Sequence, residues 1–265
     1  MLGHVLLNKL NESKAFQVYD ITRNKEERIN NFECDLTNFN SLFEIIKEIK
    51  PKYIVNCIGV LIKGSNNNPS NAILLNAFFP HKLVEFSKIV GAKLIQISTD
   101  CVFDGSKGSY IETDSKTAQD IYGLSKSLGE INDSENLTLR TSIIGPELKK
   151  DGEGLFSWFI NQKGIVNGFT ESIWGGVTTL VLSDVIIKSI KYNLTGIIHV
   201  TNGEPISKFN LLNLIKEKFN LTNIKLVSVP GKKSDKSLKT NYNYFDIPTY
   251  EKMIDDMMKF YKKNY

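Results

Sequence analysis

The chain is poor in the residues that build disulfide frames and metal sites. Of its 265 residues only three are cysteine (Cys34, Cys57, Cys101) and three are histidine (His4, His81, His199). Their wide separation excludes a disulfide scaffold and any zinc-type ligand spacing. Long apolar runs are missing too. No stretch approaches the roughly 20 residues that a membrane-spanning helix needs, and "HVLLNKL" near the start is too short and too polar for a secretory signal. The expected setting is the cytoplasm, with no membrane partner. Charge of one sign is also scarce, with 33 basic against 29 acidic residues and a net charge of +4. The lysine clusters at Lys149-Lys150 and Lys232-Lys233, with Lys236 and Lys239 nearby, read as solvated loop surface. No basic face interleaved with aromatics is visible, so nucleic acid is not an expected partner.

The first half alternates short apolar runs with helix-like stretches. "FQVYDI", "YIVNCIG", "KLIQIST" and "LTLRTSIIG" read as strands; "NSLFEIIKEIK", "NAFFPHKLVEFSKIVG" and "IYGLSKSLGEI" read as helices. Near-continuous apolar strands alternating with helices predict an α/β fold, a parallel sheet covered on both faces. Ligands of such sheets bind at the carboxyl ends of the strands, which directs attention to Asp20, Gly59, Thr99 and Gly145. After Gly145 the rhythm loosens. "GLFSWFINQ", "LVLSDVIIKSIKYN" and "KFNLLNLIKEKFN" suggest helices, "GIIHVTN" and "KLVSVP" strands, and the stripe Tyr250, Met253, Ile254, Met257, Met258, Tyr261 a last amphipathic helix. Residues 1–145 are expected to form one domain and 146–265 mainly a second lobe, with some segments returning to the first.

Chemistry concentrates in "YGLSK". Tyr122 and Lys126 stand four apart on a helix, on one face, one turn from each other. A phenol is a poor acid or base at neutral pH, and a neighbouring ammonium stabilises its anion. A tyrosine so placed can exchange a proton with a carbonyl or alcohol oxygen. "ISTDCVFDG" puts Ser98, Thr99 and Asp100 where a buried strand opens, and a hydroxyl there can donate to a substrate oxygen. Such clusters also make ordinary turns and caps.

With "CDLTN", "NCIG", "ISTDCVFDG", "YGLSK", "LRTSIIG" and "GIIHVTNGEPISKFNLL" in this order, the chain resembles the extended short-chain dehydrogenase/reductase family, most closely its dTDP-4-dehydrorhamnose reductase-like branch. The resemblance implies a Rossmann-like doubly wound parallel sheet with a small C-terminal α/β substrate lobe. It implies an NAD(P)-dependent reductase of a nucleotide-linked keto-deoxysugar, feeding polysaccharide synthesis. Thr99 would hydrogen-bond the substrate carbonyl, Tyr122 would give it a proton, and Lys126 would bind the nicotinamide ribose and lower the Tyr122 pKa. Asp35 and Leu36 would contact the adenine, Asn56, Cys57, Ile58, Gly59 and Ser98 would line the cofactor, and Ser142, Ile143 and Ile144 would lie near the nicotinamide. Asp20, accepting from a ribose hydroxyl, favours NAD; Arg23, pairing with a 2′-phosphate, favours NADP, and the expectation leans to NADP. Asp100 would face the substrate. Trp158 and Trp174 would stack on it or fill core. Cys101 stands where the family usually has tyrosine. Two alternatives stay open: a non-catalytic regulatory paralogue, as in the similar methionine adenosyltransferase regulatory subunit, and a nucleotide-sugar epimerase. A homo-oligomer is compatible with each.

Family members begin with a strand and G-x-x-G-x-x-G, whose amides approach a pyrophosphate at a helix N-terminus. Gly3 aligns with the last of these glycines, and the first strand and first two glycines are not in the chain. Three readings are weighed: a longer natural protein, which is preferred; a truncated paralogue with impaired cofactor binding; or neighbouring strands closing up. Each lost amide bond to a nucleotide would cost about 0.5–1.5 kcal/mol.

Overall fold

The computed structural model describes residues 1–149 and 152–264; Lys150, of the expected surface lysine pair, lies outside them. Helix α1 (Leu2–Ser13) leads to strands β1 (Asp20–Thr22) and β2 (Asn31–Glu33), then to α2 (Phe39–Ile49) and β3 (Tyr53–Asn56). Helices α3 (Ile62–Asn67) and α4 (Pro69–Ala72) run into a π-helical turn, Ile73–Phe78, which continues as α5 (Phe79–Val90). Strand β4 (Lys93–Ser98), a 3-10 turn at Asp100–Val102, α6 (Ile121–Leu128) and β5 (Leu137–Arg140) follow. Beyond them come β6 (Ile143–Ile144), α7 (Leu155–Ile160), β7 (Gly164–Phe169), β8 (Ser172–Trp174), β9 (Val177–Thr178), α8 (Thr179–Tyr192) and β10 (Gly196–His199). The chain closes with β11 (Ile206–Ser207), α9 (Lys208–Lys218), β12 (Ile224–Val229), β13 (Ser234–Asp235) and α10 (Tyr250–Asn264).

The central sheet is parallel, in the order β3, β4, β5, β10. Its alternation shows why both faces are covered. On β4, Ile95 and Ile97 enter one core with α1, α8 and α10, through Val5, Leu6, Leu182, Ile186 and Met257. Leu94 points the other way, into a core with Leu42 and Ile46 of α2 and Phe79, Leu83 and Phe86 of α5. This period of two is what a strand buried on both sides requires. The helices stop where left-handed residues turn the chain, as at Lys50 after α2 and Gly91 after α5.

Among the described residues, strands β1 and β2 pair only with each other, in parallel. The reading in which the neighbouring strands close up is therefore corrected: β1 and β3 share no ladder. The strand expected over 16–21 is shorter, because β2 offers partners only to Asp20–Thr22. "LTLRTSIIG" also divides. Its first part stays in the central sheet, whereas Ile143 and Ile144 pair with β9.

In the C-terminal part β7 pairs with β12, and β8 lies between β11 and β13. The segment around β13 returns to the loop after β4. Asp235 N donates to Gly105 O at 2.8 Å, Tyr110 N to Ser237 O at 2.9 Å, and Lys239 N to Tyr110 O at 2.8 Å. Among the described residues no helix is long and apolar enough to cross a membrane, and no group of His, Cys, Asp or Glu could hold a metal ion.

Candidate active site

The site is built at the carboxyl end of β4, where the apolar run ends and polar residues begin. Thr99 caps the 3-10 turn: its Oγ1 accepts from Cys101 N and donates to Asp100 Oδ1, both at 3.1 Å. Helix α6 starts at its own cap, Asp120, which accepts from Gly123 N at 2.9 Å. Gly123 rests on the Cys101 carbonyl so closely that a Cβ there would overlap it. That contact seats the first turn of α6 on the Thr99–Cys101 turn and brings Tyr122 to Thr99.

Lys126, one turn along, is buried and donates from Nζ to Ile97 O at 2.6 Å. Burial pulls its ammonium down to about 8, with the Glu130 carboxylate opposing. Burial pushes the half-buried Tyr122 phenol well above its usual range, Cys101 and Asp100 add to this, and a hydrogen bond with Thr99 acts the other way. The expected lowering of the phenol by Lys126 is not among the causes of its shift, which desolvation dominates. The Tyr122 phenol is protonated at neutral pH.

Asp100 is buried and its carboxyl is raised by burial. Lys236 and, more weakly, Lys208 oppose that rise, from the C-terminal lobe. Neither lysine was singled out as a site residue in the sequence, because the lobe reaches the site only through long-range strand pairing. Ser207 and Asp235, their immediate predecessors, both pair with Ile173 of β8, one on each side. Cys101 is pushed up to about 12 by burial, with Asp100 contributing, so it is an inert thiol at neutral pH.

The residues expected along a cofactor fall into two groups. Gly3, in the first turn of α1, faces Cys57: a Cβ on it would lie 3.7 Å from the Cys57 Cβ. Gly59 and Ile58 follow β3 on that same side, fixed by Asn56 Oδ1 accepting from Ile58 N at 3.1 Å and by Asn76 Oδ1 accepting from Val60 N at 2.8 Å. Asn76, buried in the π-helical turn, also donates to Ser125 Oγ of α6 at 3.2 Å. It ties the β3 exit to the helix of Tyr122 and Lys126, a link that no local pattern announces.

Other side chains are already committed. Asn56 Nδ2 donates to Gln96 Oε1 at 2.8 Å, and Ser98 Oγ to Glu130 Oε1 at 2.6 Å. Asp20 accepts from Arg28 Nη2 at 2.7 Å and Asn31 Nδ2 at 2.9 Å, whereas Arg23 is exposed beyond it. Asp35 is exposed and accepts from Thr37; Leu36 packs on the α2–α5 core. Ser142 Oγ accepts from Trp174 Nε1 at 2.9 Å, and the Trp174 ring is buried 5.6 Å from that of Tyr250. Trp174 therefore fills core and braces Ser142 and the Ile143 strand. Trp158 stands exposed on α7 beside Phe159.

The model of the RmlD substrate binding domain family matches residues 1–243. A dTDP-4-dehydrorhamnose reductase of Burkholderia thailandensis is 35% identical over 116 residues, 42% of this chain and 39% of that protein. Methionine adenosyltransferase 2 subunit beta of Pongo abelii is 27% identical over 203 residues, 71% of this chain and 61% of that protein. The chain thus spans less than two thirds of the curated relatives it matches. A hypothetical dTDP-4-dehydrorhamnose reductase from Sulfolobus tokodaii superposes with a TM-score of 0.76 at 31% identity, covering 89% of this chain and 88% of that one. The Bacillus anthracis dTDP-4-dehydrorhamnose reductase in complex with NADP superposes at 0.79 with 23% identity, covering 97% and 95%, and shares the fold.

Proposed function

The chain belongs to the RmlD substrate-binding-domain family, and on that premise we propose that it is an NAD(P)-dependent reductase of a nucleotide-linked keto-deoxysugar. The observation that carries this reading is the gathering of the Thr99 hydroxyl, the Tyr122 phenol and the Lys126 ammonium at the end of β4. The cofactor, when bound, supplies the hydride.

The residues fit such a cofactor. An ammonium has three donors, and the Ile97 carbonyl is the one acceptor Lys126 meets among the described residues. Two buried N–H groups are left for ribose hydroxyls. Asp20 is held by Arg28 while Arg23 is free of it, which supports NADP over NAD, in line with the NADP complex of the Bacillus anthracis relative. Thr99 would turn its hydroxyl from Asp100 Oδ1 to the substrate carbonyl oxygen, and Tyr122, a protonated phenol at neutral pH, donates the proton that the oxygen takes up. Positive charge on Lys126 then favours the phenolate that remains. Lys236 and Lys208 face the buried Asp100 across the site and suit an anionic substrate such as a nucleoside diphosphate sugar. Residues 1–145 would bind the dinucleotide and 146–265 mainly the sugar nucleotide, in the cytoplasm.

Adding a dTDP- or UDP-linked 4-keto-deoxysugar to the protein with NADPH is expected to consume NADPH in proportion to sugar. A sugar product without net NADPH loss would indicate an epimerase instead. A second reading is a non-catalytic binding subunit, supported by the longer alignment to methionine adenosyltransferase 2 subunit beta. Bound NADPH with no turnover of any keto sugar, and capture of a partner enzyme of known identity, would favour it.

A further inference from the structure

Behind Lys126 lies a buried ionic network that the reaction above does not use. The last two residues of β4 are gripped in succession. Ile97 O accepts from Lys126, and the hydroxyl of Ser98, the next residue, donates to Glu130 Oε1 at 2.6 Å. Lys126 and Glu130 are four residues apart, the first in α6 and the second just past its end. Arg140, the last residue of β5 and the register partner of Ser98, forks onto the same carboxylate: Nε to Oε1 and Nη2 to Oε2, both 2.8 Å. Lys116 Nζ lies 3.3 Å from Oε2 on the outer side. The third guanidinium nitrogen, Nη1, reaches His199 Nε2 at 2.7 Å, and His199 ends β10 as the register partner of Arg140.

Both charges of the Glu130–Arg140 pair are almost fully buried, at 1% and 2% side-chain exposure. Such a pair is seldom retained for stability alone, since apolar residues of similar volume often serve as well. Its place explains it better. We propose that Glu130 is a positioning residue for Lys126: its carboxylate, clamped by Arg140, fixes the strand end on which the ammonium rests and sets a negative charge facing it. The proposal rests on the role given to Lys126 above.

The groups around the ammonium can be named from each side. Ile97 O comes from β4, and Glu130 comes from the exit of α6. Arg140 of β5, Lys116 of the preceding loop and His199 of β10 lie behind the Glu130 carboxylate. Burial drives Lys126 toward its neutral form, and Glu130 acts against that drive. Without the carboxylate a larger share of Lys126 would be neutral near pH 7, with a lone pair where a ribose hydroxyl needs a donor.

The test is the titration of Lys126 in intact protein without substrate. Carbon-13-labelled lysine is followed by NMR against pH, with the Lys126 signal assigned by its loss in Lys126→Arg. Wild type is expected to titrate near 8, and Glu130→Gln about one unit or more lower, a tenfold loss of proton affinity. Glu130→Leu combined with Arg140→Met removes both buried charges, so it keeps the fold where the single variant strands Arg140. It is expected to show a smaller fall in the same direction, because the removed guanidinium, farther from Lys126, opposed the carboxylate. A folded variant of either kind in which Lys126 titrates as in wild type overturns the proposal. This readout needs no turnover, so it stands or falls separately from the reductase reading. Where turnover is measured, Glu130→Gln should move the alkaline limb of the rate profile by the same amount.

Discussion

Gly123 sits directly on the carbonyl of Cys101, with no room between them for a side chain. Because Tyr122 precedes Gly123 and Thr99 precedes Cys101 by two, this contact sets how far the phenol stands from the hydroxyl. The obstacle is backbone rather than a flexible tip, so Gly123→Ala must push α6 away. Overpacking of this kind costs about 1–3 kcal/mol. A lower urea midpoint is expected, with a larger relative loss of turnover than of NADPH affinity. An unchanged midpoint and turnover would show that the two elements are not rigidly docked.

Much of this arrangement was legible in the sequence. The i, i+4 spacing of Tyr122 and Lys126 and the alternation along "KLIQIS" required only local periodicity, and both elements are present. The family-ordered motifs placed Thr99 at the end of that strand. What was not legible is set by distant pairings. The glycines in "GIVNGF" (Gly164–Phe169) weaken any strand signal, and β7 exists because β12 pairs along its whole length. Asp235 and Ser237 bring Lys236 to Asp100 only because they bond to residues 105–110. The Glu130–Arg140–His199 row depends on the register of three strands. Trp174 could be read as stacking platform or core, and its bond to Ser142 with its packing on Tyr250 places it in the core.

Lys236 tests the proposed substrate side of the site. It is half-buried at the edge of β13 and faces Asp100. Lys236→Met should raise the KM for a nucleotide sugar about 10- to 150-fold, the loss of one charge-assisted contact of about 1.5–3 kcal/mol, while NADPH binding is unchanged. Equal losses for both ligands would place Lys236 elsewhere in the mechanism.

Arg23 is the proposed handle on cofactor choice. It is exposed, whereas Asp20 is paired with Arg28. Arg23→Ala is expected to weaken NADPH binding, measured by fluorescence titration, about tenfold or more, and to leave NADH within about twofold, because only the former carries a 2′-phosphate. Equal effects on both dinucleotides would remove the basis for preferring NADP.

His199 predicts the acid limb of stability. Arg140 can only donate, so His199 Nε2 accepts, and Nδ1 donates to Lys239 O at 2.8 Å. The ring is buried and neutral; burial and the adjacent Arg140 hold its pKa below the usual 6.5. Between that lowered value and 6.5 the unfolded chain binds more protons than the folded one, so stability rises with pH in this window and falls as the solution is acidified below 6.5. Glu130, lowered chiefly by Arg140 against its burial, adds a second loss below about 4.5. Urea midpoints measured across pH 4 to 7 should show the first decline, to which His4, lowered to about 4 by burial, also contributes, and His199→Gln should reduce its slope. A wild-type midpoint that is constant from pH 7 down to 5 would contradict the assignment of a neutral His199.

The central claim is that Tyr122 gives a proton to a carbonyl that takes a hydride from the nicotinamide beside Thr99 and Lys126. Its most direct test is isotope transfer. NADPH carrying deuterium at the reactive nicotinamide carbon is incubated with a nucleotide-linked 4-keto-deoxysugar, and the sugar product is read by mass spectrometry. One deuterium is expected at the former carbonyl carbon with wild type, and a rate lower by about 100- to 10,000-fold with folded Tyr122→Phe. A product without deuterium, or equal rates for the two proteins, would contradict it.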